Sequence, residues 1–164
     1  MESNIEYMPT TAQFELYHGA VLSQIIRNPL INLKLIERND SYGWGAYEVT
    51  DNATTHRIYI KWTSQITNRR KGESVCNFTF NEMDIDKLRS IDISRNLLIC
   101  LVCSDKEICT LEWEDIDDLR LTLERTPANI SVSWEPSTSL HIKCRGSELS
   151  RTIPRNRLKT FNWS

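Results

Sequence analysis

Two ionisable residues fall where neighbouring β-strands can bring them together. The segment Tyr47-Glu48-Val49-Thr50-Asp51 ends in a carboxylate, and Ile58-Tyr59-Ile60-Lys61-Trp62-Thr63-Ser64 carries a lysine among aromatic and β-branched residues. A carboxylate and a lysine at neighbouring strand positions are parts that metal-dependent hydrolysis of a phosphodiester requires. Carboxylates hold a divalent cation that polarises the phosphate and lowers the pKa of the attacking water, and a lysine stabilises the charge that builds. The plainer alternative is an ordinary half-buried strand with a solvated lysine, next to a good Asp51-Asn52 turn.

Other groupings are weaker. Cys100-x-x-Cys103 has the length of a zinc knuckle, with Cys109, Cys76 and Cys144 elsewhere in the chain. On a strand, however, positions 100 and 103 point to opposite faces, and buried free thiols are the simpler expectation. His18, His56 and His141 are scattered, and the chain has no Gly-x-Ser-x-Gly, phosphate loop or dinucleotide fingerprint. Trp163, following Phe161, is placed to anchor the tail or fill a partner's pocket.

These residues need elements to hold them. Phe14–Arg27 repeats apolar residues at three- and four-residue intervals, which predicts a helix stopped before Pro29. Ile31–Glu37, Trp44–Asp51 and Arg57–Thr63 predict an antiparallel meander broken at Asn39-Asp40-Ser41 and Asp51-Asn52. Ser64–Ser74 reads as an exposed loop, Asn77–Phe80 as a short strand, and Asn81 as the cap of a helix through about Ile91. Leu97–Val102 is apolar on both faces, so it predicts a strand covered on both sides. A strand at Glu107–Leu111, a helix at Glu114–Leu121 and strands at Ile130–Trp134 and Leu140–Cys144 complete the order. The expected class is α+β with a mixed sheet, in one domain: a core over about 12–103 and a β-α-β-β extension over about 104–164.

The composition fits a globular domain. Of 164 residues, 40% are hydrophobic and 26% charged, unlike a disordered chain. No apolar run is long enough to span a bilayer, and the first residues lack the form of a signal peptide. A cytoplasmic location and reduced cysteines are expected. The net charge of −2 hides an asymmetry. Residues 82–118 hold eleven acids against four bases, whereas 143–159 hold six bases against one acid. Such a chain either presents two oppositely charged surfaces or neutralises them against each other on folding. An acidic mimic of DNA is a further possibility, but the overall charge is small for that role.

The order α-β-β-β-α-β, with Asp51 and Lys61, resembles the core of the PD-(D/E)XK nuclease superfamily over roughly residues 12 to 103. The resemblance implies Asp51 as the first acid and Lys61 as the catalytic lysine. The second acid of the pattern falls on Tyr59, a poor ligand for Mg²⁺. A carboxylate displaced to the following helix, Glu82, Asp84 or Asp86, would replace it, with Glu15 on the first helix as a further acid. Glu48 has the opposite parity to Asp51 and joins only through a bulge or another register. The implied cofactor is Mg²⁺, with Asp51 and Glu82 as ligands. The implied partner is DNA, held by Arg69, Arg70 and Lys71 beside the cleft and by Arg151, Arg155 and Arg157 in the tail. The expectation is a divergent nuclease-like, DNA-associated protein, active or catalytically silent, of the kind found in bacterial or phage nucleic-acid and defence systems. The competing expectation is a non-enzymatic interaction subunit with a protein partner, or a homo-oligomer.

Overall fold

A computed structural model of the protein describes residues 15–26, 31–39, 42–51, 53–92, 94–117, 127–144 and 150–163. The amphipathic segment near the N-terminus forms helix α1 (15–25); Phe14, Arg27 and Pro29 lie outside the described residues. The meander follows as β1 (Ile31–Asn39), β2 (Trp44–Asp51) and β3 (Thr54–Thr63). The polar stretch expected as a loop contains a two-residue strand, β4 (Thr67–Asn68), and a tight turn at Arg70–Gly72. Next come β5 (Ser74–Phe80), α2 (Glu82–Ile91), β6 (Leu97–Cys103) and β7 (Glu107–Leu111). A short helix, α3 (113–117), lies where Glu114–Leu121 was expected, and the remainder of that segment is outside the described residues. The chain then forms β8 (Ala128–Trp134), β9 (Leu140–Cys144) and β10 (Ser150–Ile153).

The class is mixed α+β, and the strands divide between two sheets. One is ordered β1-β2-β3-β6-β7, the other β10-β9-β8-β5-β4. In the first sheet β3 and β6 run parallel, and every other pairing is antiparallel. A parallel pair needs a crossover, and here the crossover passes through the second sheet and α2. The segment after β6 is therefore not appended to a finished core: β7 extends the first sheet, and β8 pairs with β5.

β6 shows why the first sheet is central. All of its residues are buried. Leu97, Ile99, Leu101 and Cys103 face Phe78, Phe80, Ile130, Val132 and Ile142 of the second sheet, together with Ile85 and Leu88 of α2. Leu98, Cys100 and Val102 face Tyr17, Val21 and Ile25 of α1, with Leu158 and Trp163 of the tail. Burying each such aliphatic or aromatic side chain contributes about 1.5–3 kcal/mol. Cys100 and Cys103 point to opposite faces, as strand alternation requires. The tail is anchored by its own aromatics: Phe161 and Trp163 each meet the His56 ring edge-on at 5.3 Å.

α1 sits close because of Gly45. A Cβ on that residue would lie 2.4 Å from His18 Cε1 and 2.8 Å from Nδ1. His18 is buried and its Nδ1 meets the Tyr47 hydroxyl at 3.3 Å. Burial, and secondarily the nearby Arg38 cation, lower its pKa from 6.5 to about 4.

Two outcomes follow from this contact. Gly45→Ala should destabilise the fold by about 1–3 kcal/mol, the usual cost of overpacking. An unchanged urea midpoint would rule out the close contact. The unfolded chain takes up a proton at His18 below pH 6.5, whereas the folded one resists until about pH 4. Stability should therefore fall as the pH drops through that window, by up to about 3 kcal/mol from this group. Urea titrations of His18→Gln should show a flatter dependence between those pH values, and an identical slope would refute the assignment.

Candidate functional site

The helix cap at Asn81 builds a buried polar group between α2 and β3. Asn81 is extended (φ −92°, ψ −178°), and its side chain accepts from the Asp84 backbone N–H at 3.1 Å. Asp84 Oδ2 in turn accepts from the Asn81 N–H at 2.9 Å, closing a reciprocal capping box. The cap turns the Asp84 carboxylate inward from the first turn of α2, towards β3. There it meets Lys61 Nζ at 3.0 Å from Oδ1 and 2.9 Å from Oδ2, and the Tyr59 hydroxyl donates to Oδ1 at 2.5 Å. Lys61 and Tyr59 share a face because they are two residues apart on a strand.

This group is enclosed. Asp84 and Tyr59 are each 0% exposed and Lys61 is 7% exposed. Nζ also lies 5.3 Å from the centroid of the Phe80 ring, and Tyr59 stacks on Trp44 with ring centroids 5.5 Å apart. Burial first, and then the Asp84 charge beside it, push the Tyr59 phenol well above its ordinary range, so it stays a donor. A carboxylate has about four accepting positions, and the four bonds from Tyr59, Asn81 and Lys61 fill them.

Of the acids expected beside Lys61, Asp84 is there, whereas Asp51 and Glu15 are elsewhere. Asp51 pairs with Thr54 and Lys61 with Trp44, so the two stand at opposite ends of the hairpin. Seven strand positions separate them, roughly 23 Å. They also face opposite sides: Asp51 has the parity of Tyr47 and Val49, which pack towards α1, whereas Lys61 and Tyr59 face α2. The β2 residues opposite Tyr59 and Lys61 are Ala46 and Trp44, a methyl and an indole. Glu15 is exposed on α1, across the sheet from Lys61. Glu82 opens α2 at the Lys61 end, far from Asp51, so the expected Asp51–Glu82 ligand pair is not assembled. Glu48 lies opposite Arg57 and pairs with it at 3.7 Å. Of the three helix acids considered from sequence, Asp84 is the one that reaches Lys61. The Asn81-x-x-Asp84 spacing marks it as the capping acid, though that spacing does not name Lys61 as its partner.

These donors do not fit Mg²⁺. A hard cation takes several oxygens with free lone pairs, and the carboxylate contacting Lys61 has none to give. Among the described residues, no group of three or more His, Cys, Asp or Glu side chains is placed to hold a metal ion.

The expected nucleic-acid contacts are also redistributed. Arg151 pairs with Asp115 at 3.0 Å, Arg155 with Glu107 at 2.9 Å, and Arg157 with Glu112 at 3.3 Å and Asp115 at 2.5 Å. The tail arginines thus neutralise three acids of the chain's acidic middle, Glu107, Glu112 and Asp115. Arg69 lies 3.6 Å from Glu73, while Arg70 and Lys71 are exposed in the β4–β5 turn. That turn is at the far end of β5 from Phe80, about 20 Å along the strand, so it does not border the Lys61 group as expected.

A different surface stands out at the corner where β1 turns into β2. Tyr42 and Met83 are 55% and 39% exposed there, while Leu35 and Ile36, 48% and 37% exposed, lie further back along β1, with Leu35 on the α1 face. Asn39 ties the corner together, accepting from the Tyr42 N–H at 3.2 Å and approaching Met83 Sδ at 3.9 Å. An open hollow of about 480 Å³ beside it is lined by Glu37, Glu82, Met83 and Asp86, with Trp44 and Lys87. Lys87 is held by Glu37 at 3.0 Å. No protein-family model, curated protein or solved structure matches this chain.

Removing one partner from a buried ion pair leaves an uncompensated charge and costs about 3–5 kcal/mol. Lys61→Met should fall in that range. Lys61→Met combined with Asp84→Asn should cost less than the sum of the two single changes, since the second removes the stranded charge. Denaturant midpoints for the four proteins test this, and strictly additive losses would show that the two side chains do not interact.

Proposed function

We propose that this chain is a non-enzymatic interaction subunit, with a buried polar tie at the place where a nuclease-like sheet would carry its catalytic acids. The observation that supports it most is the complete internal saturation of Asp84 by Lys61, Tyr59 and Asn81. A lysine that is 7% exposed and bound to a buried carboxylate is poorly placed to stabilise a phosphate. The interaction surface in this reading is the β1–β2 corner. Its exposed Tyr42 and Met83, with Glu82 and Asp86 beside Met83, suit a protein partner that offers apolar side chains flanked by basic ones. A larger nucleic-acid-processing or defence complex is the setting that the sequence resemblance implies. Exposed Arg70 and Lys71 support at most a subsidiary, salt-sensitive contact to phosphates.

The folded protein, given single- or double-stranded DNA with Mg²⁺ or Mn²⁺, should leave both uncut. Metal-dependent cleavage by wild type that disappears in a folded Lys61→Ala variant would overturn the proposal. For the partner, a tagged chain expressed in its own host should retain a specific co-purifying protein. Its recovery should drop several-fold on changing Met83 and Asp86 to Arg. Equal recovery would remove the corner from the reading.

A further inference from the structure

A second concave surface lies on the α1 side of the first sheet, away from both the Lys61 group and the β1–β2 corner. α1 forms one wall, the β6–β7 turn forms the end, and the segment after β10 forms the other wall. Arg155 meets Glu107 near the start of β7, while Trp163 reaches His56 on β3. The tail therefore crosses the sheet face that α1 also covers. The space between them is a cleft of about 420 Å³, within the usual size range of small-molecule sites, about 300–1,000 Å³.

The lining is divided by chemistry. Tyr17, Val102 and Ile108 belong to the apolar core on this face, and Leu16 stands 57% exposed on the α1 wall. The polar groups gather at one end. Ser104, held in the left-handed region at φ 54°, places its hydroxyl 3.4 Å from the Tyr17 hydroxyl. Lys106, Arg155 and Lys159 bring three cations, against Asp105 and Glu107. These charges are not equally engaged. Arg155 is held by Glu107 at 2.9 Å and by the backbone carbonyl of Thr138. Lys106 is 3.9 Å from Asp105, both largely exposed, a separation at which an ion pair contributes little. Lys159 is exposed and has no carboxylate partner among the described residues. The cleft thus combines an apolar floor with a surplus cation at its rim.

We infer that this cleft binds a small amphipathic anion, with an aromatic or aliphatic body against Leu16, Tyr17 and Ile108 and an anionic head at Lys159, with Lys106 alongside. The apolar floor supplies most of the affinity and the lysine sets the orientation of the ligand. The inference is independent of the interaction proposed for the β1–β2 corner, because the two surfaces share no residue.

The probe is 1-anilinonaphthalene-8-sulfonate, whose fused ring and sulfonate reproduce that chemistry. Titration into folded wild type, followed by backbone amide shifts, should give one saturable set of changes in residues 16–24, 102–108 and 155–159. Lys159→Glu should weaken binding by about tenfold, corresponding to about 1.4 kcal/mol. Ala20→Trp fills the cleft from an exposed helical position and should abolish those changes. Gln24→Trp, on the same wall, serves if the first variant fails to fold. Absence of saturable changes in the cleft up to about 1 mM probe, an affinity too weak for a site, would overturn the inference. So would undiminished binding by the filled variants, or shifts confined to Tyr42 and Met83.

Discussion

One carboxylate holds the two halves of this protein in register. Asp84 lies in the first turn of α2, the helix that returns the chain from the second sheet to the first, and it is bound across the interface to Lys61 and Tyr59 on β3. A buried charge is tolerated only when its hydrogen-bonding capacity is met. Here that condition is satisfied by the side chains of one strand and the N–H of the Asn81 cap. Shifting α2 by a single residue would break the capping box and strand the lysine together. The helix therefore has one position that satisfies both, and the β3–α2–β6 crossover inherits it. Trp44, Phe80 and Ala46 close the space around the pair with apolar surface, which raises the penalty for leaving either charge alone.

The tail repeats the same logic at the surface. Its arginines neutralise Glu107, Glu112 and Asp115, so part of the charge asymmetry along the chain cancels in three dimensions. Arg157 also donates to the Thr110 carbonyl on β7. These contacts lay the tail along the first sheet beside α1, and the cleft between them is a consequence of that placement. What remains outward-facing is uneven. Arg70 and Lys71 stand at one end of β5, and Glu82 and Asp86 stand beside exposed apolar residues near its other end. This separation bears on function, because a phosphate-binding cleft would need the cations and the carboxylates to meet.

Some of this arrangement was legible in particular residues. The all-apolar Leu97–Val102 run implies a strand covered on both faces, and it is one. Asn81 was readable as a cap, and α2 ends at Ile91 as its pattern implied. Strand alternation was enough to separate Cys100 from Cys103. The hairpin register was legible too, but the pairing of Asp51 with Lys61 did not respect it. A hairpin in which Asp51 faces Thr54 pairs residues equidistant from its turn, so Lys61 faces Trp44. Adjacent strands bring neighbours together only at matching distances from their turn.

The sequence by itself determined the main helices and strands, though not β4 or β10, and which face of each is apolar. Those properties come from the period of side chains within a segment and from caps a few residues away. Only the tertiary structure decided that β5 pairs with β8, since such a pairing closes a long loop that no local pattern encodes. Only the tertiary structure selected Asp84, rather than Glu82 or Asp86, as the partner of Lys61. Three acids on one helical turn are alike in chemistry, and the choice among them rests on which one the helix aims at β3 once both sheets are packed.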